Sequence, residues 1–253
     1  MKEWPILFST PMVQAILDGR KTQTRRIVKP QPQPTATEIV LSHQWSGNDH
    51  VARFKYNGEN KYEVTDIYRC PYGKIGDILW VRETWRIIGW NDGDPFTIQF
   101  KDKTIKRDVY LNESRADDYA LECADQFIKA GYESDENGIF ICDLSKIPTK
   151  WRPSIFMPKE ACRIKLEITD IRVERVQDIS EEDAKAEGVY FYGWDDYHQT
   201  DYKNYSYNDK GMCDDWGVQT AKESYQTLWE SINGRGSWEK NPWVWVIEFI
   251  RIK

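Results

Sequence analysis

Residues 9–29 read S-T-P-M-V-Q-A-I-L-D-G-R-K-T-Q-T-R-R-I-V-K. Thr10 is a natural N-cap, and Pro11 suits the first helical position, where a missing N–H costs nothing. Met12, Ala15 and Ile16 recur on one side of two short turns, and Gly19 supplies a left-handed stop. Beyond the stop the chain turns wholly polar: Arg20, Lys21, Thr22, Gln23, Thr24, Arg25 and Arg26, four of them cations. The segment predicts a helix that delivers, by way of a glycine, a cluster of ammonium, guanidinium and hydroxyl groups. Such a cluster suits an anionic or strongly polar ligand, and it holds a lysine near enough to a hydroxyl to act on it.

Outward from this stretch, strands and short helices can be read in both directions. Residues 4–8 predict a first strand. Residues 78–85 follow the Gly76-Asp77 turn and are rich in β-formers. Alternation puts Leu79, Val81, Glu83 and Trp85 on one face, with Trp80, Arg82 and Thr84 on the other. Residues 162–176 carry a long strand pattern whose alternation slips by one at Thr169-Asp170, as a bulge or break would make it. Ser180 and Asp183 cap a short helix that ends at Gly188. Residues 221–232 form an amphipathic helix on Tyr225, Leu228, Trp229 and Ile232. Residues 243–252, apolar on both faces, predict a central strand.

The stretches between look like insertions. Residues 31–73 hold strand-like pieces at 39–41 and 51–56 that suit a hairpin. Residues 91–150 hold a helix, capped by Ser114 and Asp117, with Ala116, Ala120, Cys123 and Phe127 on its apolar side and Gly131 as its stop. Residues 190–220 are aromatic and acidic without a period, and predict a surface loop.

A chain of 253 residues can bury one substantial core, so residues 1–253 are read as a single elaborated domain. Charged residues make up 30% and the net charge is -6, which predicts a soluble protein. That acidity argues against bulk duplex binding, which rests on neutralising phosphates. A local basic site at 20–29 stays open. Twelve tryptophans and fourteen tyrosines mostly suit packing, yet flat rings also stack on unpaired bases. Five cysteines are widely spaced, with no C-x-x-C, and three histidines lack ligand-like spacing. Reduced thiols, a cytoplasmic location, no metal and no cofactor are the expectation. No signal peptide or spanning apolar run appears, so no membrane partner is expected.

The G-R-K-T-Q-T-R segment resembles the G-x-K-x-x-T-x-R signature of the ASCH family, relatives of PUA RNA-binding domains. Four further segments resemble larger ASCH proteins of phages and prophages: G-D-I-L-W-V-R-E-T-W (76–85), W-R-P-S-I-F-M-P (151–158), I-S-E-E-D-A-K-A-E-G-V (179–189) and N-P-W-V-W-V-I-E-F (241–249). The resemblance implies an α+β fold, a PUA-like small β-barrel with flanking helices and inserted hairpin and helical segments. It also implies an activity. By match to a small bacterial ASCH enzyme that deacetylates N4-acetylcytidine, Lys21 would be the general base, Thr24 the nucleophile and Glu187 the acid.

The chemistry is coherent. A threonine hydroxyl needs a base to take its proton. Lysine serves only when burial or nearby cations bring its pKa down from about 10.4. Glu187, on the last turn of its helix, meets a dipole that favours the protonated form. Arg20, Arg25, Arg26, Glu83, Trp80 and Trp85 are the candidate substrate contacts. Plainer readings stand beside these: a solvated cationic face, an ordinary pre-cap glutamate, an ion-paired Glu83, and core tryptophans. A regular strand over 20–28 would send Lys21 and Thr24 to opposite faces, so the triad needs a turn at 21–23. The implied partner is a modified nucleoside, or single-stranded RNA or modified nucleic acid; oligomeric state is left open. The alternatives are a PUA-like module that binds such a ligand without turnover and, more weakly, a ribonuclease.

Overall fold

A computed structural model describes residues 1–33, 36–42, 51–57, 63–90, 95–136, 138–192, 202–206 and 217–252. Most of the expected loop at 190–220 lies outside the described residues, as do Cys213, His43, His50 and His198. The fold is mixed α+β: strands β1 (Glu3–Leu7), β2 (Gln23–Ile27), β3 (Ala36–Ser42), β4 (Val51–Asn57), β5 (Glu63–Arg69), β6 (Ile78–Arg82), β7 (Trp85–Gly89), β8 (Phe96–Phe100), β9 (Ile105–Val109), β10 (Lys165–Arg175) and β11 (Trp243–Ile252), with helices α1 (Thr10–Leu17), α2 (Glu113–Lys129), α3 (Glu181–Ala186) and α4 (Ala221–Asn233). The chain divides into two compact units. The first comprises residues 1–4, 14–79 and 166–253, and the second residues 5–13 and 80–165.

A five-stranded sheet has the order β1-β6-β10-β11-β2, with β1 and β2 at its edges among the described residues; β2 and β11 lie wholly in the first unit. β11 pairs antiparallel with β2, setting Ile247 opposite Thr24 and Val246 opposite Arg25. Val244, Trp245, Val246 and Ile247 are buried in succession. A strand with neighbours on either side and both faces covered has that pattern, as the sequence implies. β10 runs without interruption, and its buried positions pass from Leu166 and Ile168 to Ile171. The parity change falls at Thr169-Asp170, where the slip was read.

α1 opens one residue early: Val13 N donates to Ser9 O at 2.9 Å, so Ser9 rather than Thr10 caps it. It closes at Gly19, with φ 76°. Ser180 Oγ accepts from Asp183 N at 3.0 Å at the start of α3. The carboxylate of Glu181 in α3 accepts from Ala221 N and Lys222 N at 2.9 and 3.1 Å, joining α3 to the first turn of α4. α4 buries Tyr225, Leu228 and Trp229, but Ile232 is 62% exposed, one turn beyond the buried stretch. The hairpin read at 39–41 and 51–56 exists as β3 and β4, with a third strand, β5, continuing the antiparallel sheet.

The second unit holds the β7-β8-β9 sheet, α2, and a core of Trp85, Ile87, Phe96, Ile98, Phe100 and Met157. The single strand expected over 78–85 is two, because the chain breaks at Glu83-Thr84 between β6 and β7. The stretch 91–150 adds β8 and β9 to its expected helix. That helix opens from Asn112, whose carbonyl accepts from Ala116 N at 2.9 Å, rather than from Ser114. Among the described residues no helix is long and apolar enough to cross a membrane.

Candidate functional site

The site of the first unit forms where α1 hands the chain to β2. Gly19 reverses the backbone, and both Arg20 N and Lys21 N donate to Ala15 O at 2.9 and 3.0 Å. Lys21 then pairs with Glu187 as a single β-bridge, and Thr22 N donates to Ala186 O at 2.8 Å. The end of α3 is thereby laid beside the entrance to β2. Gly188 makes this approach possible. At φ 85°, a Cβ there would lie 2.7 Å from the Cβ of Lys21 and 2.9 Å from that of Ala15.

The side chains of Lys21 and Glu187 are each 3% exposed. Lys21 Nζ donates to Glu187 Oε2 and to Glu187 O, both at 2.7 Å. Glu187 Oε1 accepts from Arg25 Nη1 at 3.1 Å. Arg25 also donates to Glu174 and, at 2.8 Å, to Asp183. Arg172 continues the chain of charges to Asp183, Glu174 and Glu248. Three cations (Lys21, Arg25, Arg172) thus interleave with four carboxylates (Glu174, Asp183, Glu187, Glu248), and the Tyr225 ring lies under Arg25 at 5.8 Å.

Burial acts on each group differently. It pushes the Lys21 ammonium below its ordinary pKa, and the attraction of Glu187 does not make up the difference. Burial also pushes the Asp183 carboxyl up, but Arg25 and Arg172 outweigh it and hold that carboxyl low. The Tyr225 phenol is driven well up by burial, with the Glu187 charge adding to it.

The remaining expected residues are distributed as follows. Gln23 Nε2 donates to Asp183 O at 2.8 Å, and Arg25 reaches Asp183 and Glu187, so both face α3. Glu248, opposite Gln23 in the ladder, belongs to the same charged face. Strand alternation then puts Thr24, opposite Ile247, and Arg26, opposite Trp245, on the other face. Lys21, Arg25 and Glu187 are brought together, while Thr24 is buried on the sheet face away from them. Arg20 sits at the rim: it donates to Gly188 O at 3.1 Å and lies over the exposed Tyr190 ring at 5.4 Å.

Glu83 belongs to the second unit. It takes both Nε and Nη2 of Arg163, at 2.9 and 2.6 Å, and Arg163 also reaches Asp102. Burial pushes the Glu83 carboxyl up against the pull of Arg163. Trp80 and Trp85 are core residues of that unit, Trp85 meeting Tyr119 edge-on at 5.7 Å.

Sequence reasoning missed Arg172 and Glu174. Their signal was two opposite charges at alternate positions of β10, interleaved with Ile171 and Val173. Asp183 was read solely as a cap. Among the described residues, no three His, Cys, Asp or Glu side chains converge as a cation site.

No family model and no curated protein matches the chain. A translation initiation factor eIF-5A family protein from Naegleria fowleri is similar over 44% of this chain and 85% of its own, at 15% identity and a TM-score of 0.16. A score that low carries neither fold nor function across.

Proposed function

We propose that this is a cytoplasmic ASCH-type protein of PUA-like architecture that hydrolyses an amide on a modified nucleobase or nucleoside, of the N4-acetylcytidine kind. The observation that carries the reading is the buried Lys21–Glu187 pair at 2.7 Å, with burial lowering the pKa of its lysine. A lysine becomes a general base by giving up its proton near neutrality, which burial favours. In this reading Lys21 takes a proton from water, whose oxygen attacks the amide carbon. Glu187 passes a proton to the departing amine, leaving cytidine and acetate. Arg25, shared among Glu174, Asp183 and Glu187, is a positioning residue for Glu187. Water rather than Thr24 is the attacking group, because alternation along β2 turns Thr24 away from Arg25 and Glu187.

The test is turnover of N4-acetylcytidine by the purified protein, followed by chromatography of cytidine. Lys21→Met should lower the rate by about 100-fold or more, the range general acid–base catalysis supplies. Thr24→Val should stay within a few-fold of wild type; a loss equal to that of Lys21→Met returns the nucleophile to threonine.

One observation favours a second reading, a PUA-like module that binds a base without turnover. Lys21 and Glu187 are mutually bonded and closed from solvent, whereas Arg20 over Tyr190 is the accessible part. Absence of turnover, together with base binding that Tyr190→Ala abolishes, selects this reading.

A further inference from the structure

The second unit carries a cleft that the reading of Lys21 does not use. It encloses about 540 Å³ beside α2 and the turn at Ser154–Phe156, within the range of small-molecule sites. Trp80 forms part of its wall, and the Arg82 guanidinium lies over that ring at 4.5 Å. Arg82 donates a single hydrogen bond among the described residues, from Nη1 to Ile155 O at 3.1 Å. Its Nε is buried without an acceptor. Arg115, on the first turns of α2, is exposed and has no carboxylate within ion-pair distance among the described residues.

The turn holds an aromatic ring in the open. Pro153 and Pro158 flank it, Met157 N donates to Ser154 O at 3.1 Å, and Met157 is 1% exposed. With Met157 anchored in the core, Phe156 is left 65% exposed at the edge of the cleft. A lone exposed phenylalanine is ordinary. Here it stands beside guanidinium groups with unused donors, which is the pairing that stacks a flat ring and binds an anion together. The lining also includes Asp118 and Glu160. Carboxylates there accept N–H groups, as the exocyclic amine of cytosine or adenine offers. They also disfavour a polyanion lying across the whole cleft.

We propose that this cleft binds a nucleotide with an amino-bearing base, the base stacking on Phe156 and the phosphate meeting Arg115 and Arg82. The site is independent of the Lys21 chemistry and stands whether or not the protein hydrolyses an amide. The experiment is calorimetric titration of the full chain at low salt with AMP, CMP and UMP, and with a short single-stranded oligoadenylate. Arg115→Ala and Phe156→Ser are the variants, since both side chains are exposed and their loss spares the core. AMP or CMP should bind saturably and more tightly than UMP. Each variant should weaken binding at least fivefold, the lower end of what one base–aromatic stack supplies. A mononucleotide that binds as well as the oligomer makes the free nucleotide the ligand. An oligomer that binds better, with a steep salt dependence, makes it a residue of a strand. Lack of binding by all four ligands, or binding that neither variant weakens, overturns the proposal.

Discussion

Replacing Gly188 by alanine tests whether the end of α3 is what holds Lys21. The residue follows Glu187 directly and sits at φ 85°, and an added Cβ would lie 2.7 Å from Lys21 Cβ and 2.9 Å from Ala15 Cβ. Two costs add. A left-handed conformation costs a non-glycine residue about 1–2 kcal/mol. Forcing a methyl group into a closed core costs about 1–3 kcal/mol more. Both contact atoms are Cβ atoms fixed to backbone, so relief must move α1 or the entrance to β2, and cannot come from swinging a flexible tip. The expected loss is about 2–5 kcal/mol. In a chain of this size each kcal/mol lowers Tm by about 2–4 °C. Gly19→Ala is the control, because φ is 76° there but nothing lies within 4 Å of the added atom. It should cost about 1–2 kcal/mol, the backbone share alone. Urea unfolding of both variants, followed by circular dichroism, measures the difference. Equal losses would refute the close seating of Gly188 on Lys21, and with it the account of how the ion pair is positioned.

Other outcomes follow from the same contacts. Glu187→Leu strands the Lys21 ammonium in the interior and should cost about 3–5 kcal/mol. The double variant Lys21→Met/Glu187→Leu should regain most of that loss, about 3–5 kcal/mol over Glu187→Leu, and a double variant no better than the single would show that the pair is not the source. Asp77 accepts from Lys2 N, Trp4 Nε1 and Lys74 N. Burial pushes its carboxyl up, but these donors outweigh it and hold the pKa below the ordinary value. Its stabilisation is complete above the unfolded value of about 3.9 and is lost as pH falls through the lowered one. Asp77→Asn should therefore cost about 1–3 kcal/mol at pH 7, with the gap closing in acid unfolding curves below about pH 4. The Cys123 thiol is pushed up to about 12 by burial, so in the native state at pH 8 iodoacetamide should modify the half-buried Cys142 before Cys123. Peptide mapping after timed alkylation checks the order.

What could be read in advance was what local physics decides. The stop at Gly19, the Ser180 cap, the parity slip in β10 and the double-faced apolar run of β11 each depend on a few adjacent residues, and each stands in the structure. Strand β8 (F-T-I-Q-F) alternates cleanly and was legible but overlooked, whereas β5 and β9 were missed because their side chains alternate poorly with polarity. β9 reads I-K-R-D-V, with mostly exposed positions that an edge strand tolerates. The partners of Arg25 were hidden for a different reason. Glu174 and Asp183 are 149 and 158 residues away along the chain, so no window joins them to it. An arginine bound for burial announces that carboxylates will meet it without saying which.

Parity explains why the K-x-x-T spacing and the site geometry part company. Lys21, Gln23 and Arg25 are separated by even steps, and all three reach Glu187 or Asp183. Thr24 is an odd step from Gln23 and Arg25, its neighbours in β2, and an odd step within a strand changes face. The partner strand agrees at one position: Glu248, opposite Gln23, joins the ionic network through Arg172. Two separate strands therefore agree on which face is charged. For Thr24 to act on a substrate held by Lys21 and Glu187, β2 would have to shift its register by one against β11. That shift would carry Arg25 and Gln23 into the apolar layer and break every ion pair Arg25 makes, a far larger penalty than a hydroxyl could repay. A Thr24→Val variant that keeps the Arg25 ion network and the stability of the wild type is thus the outcome the sheet demands.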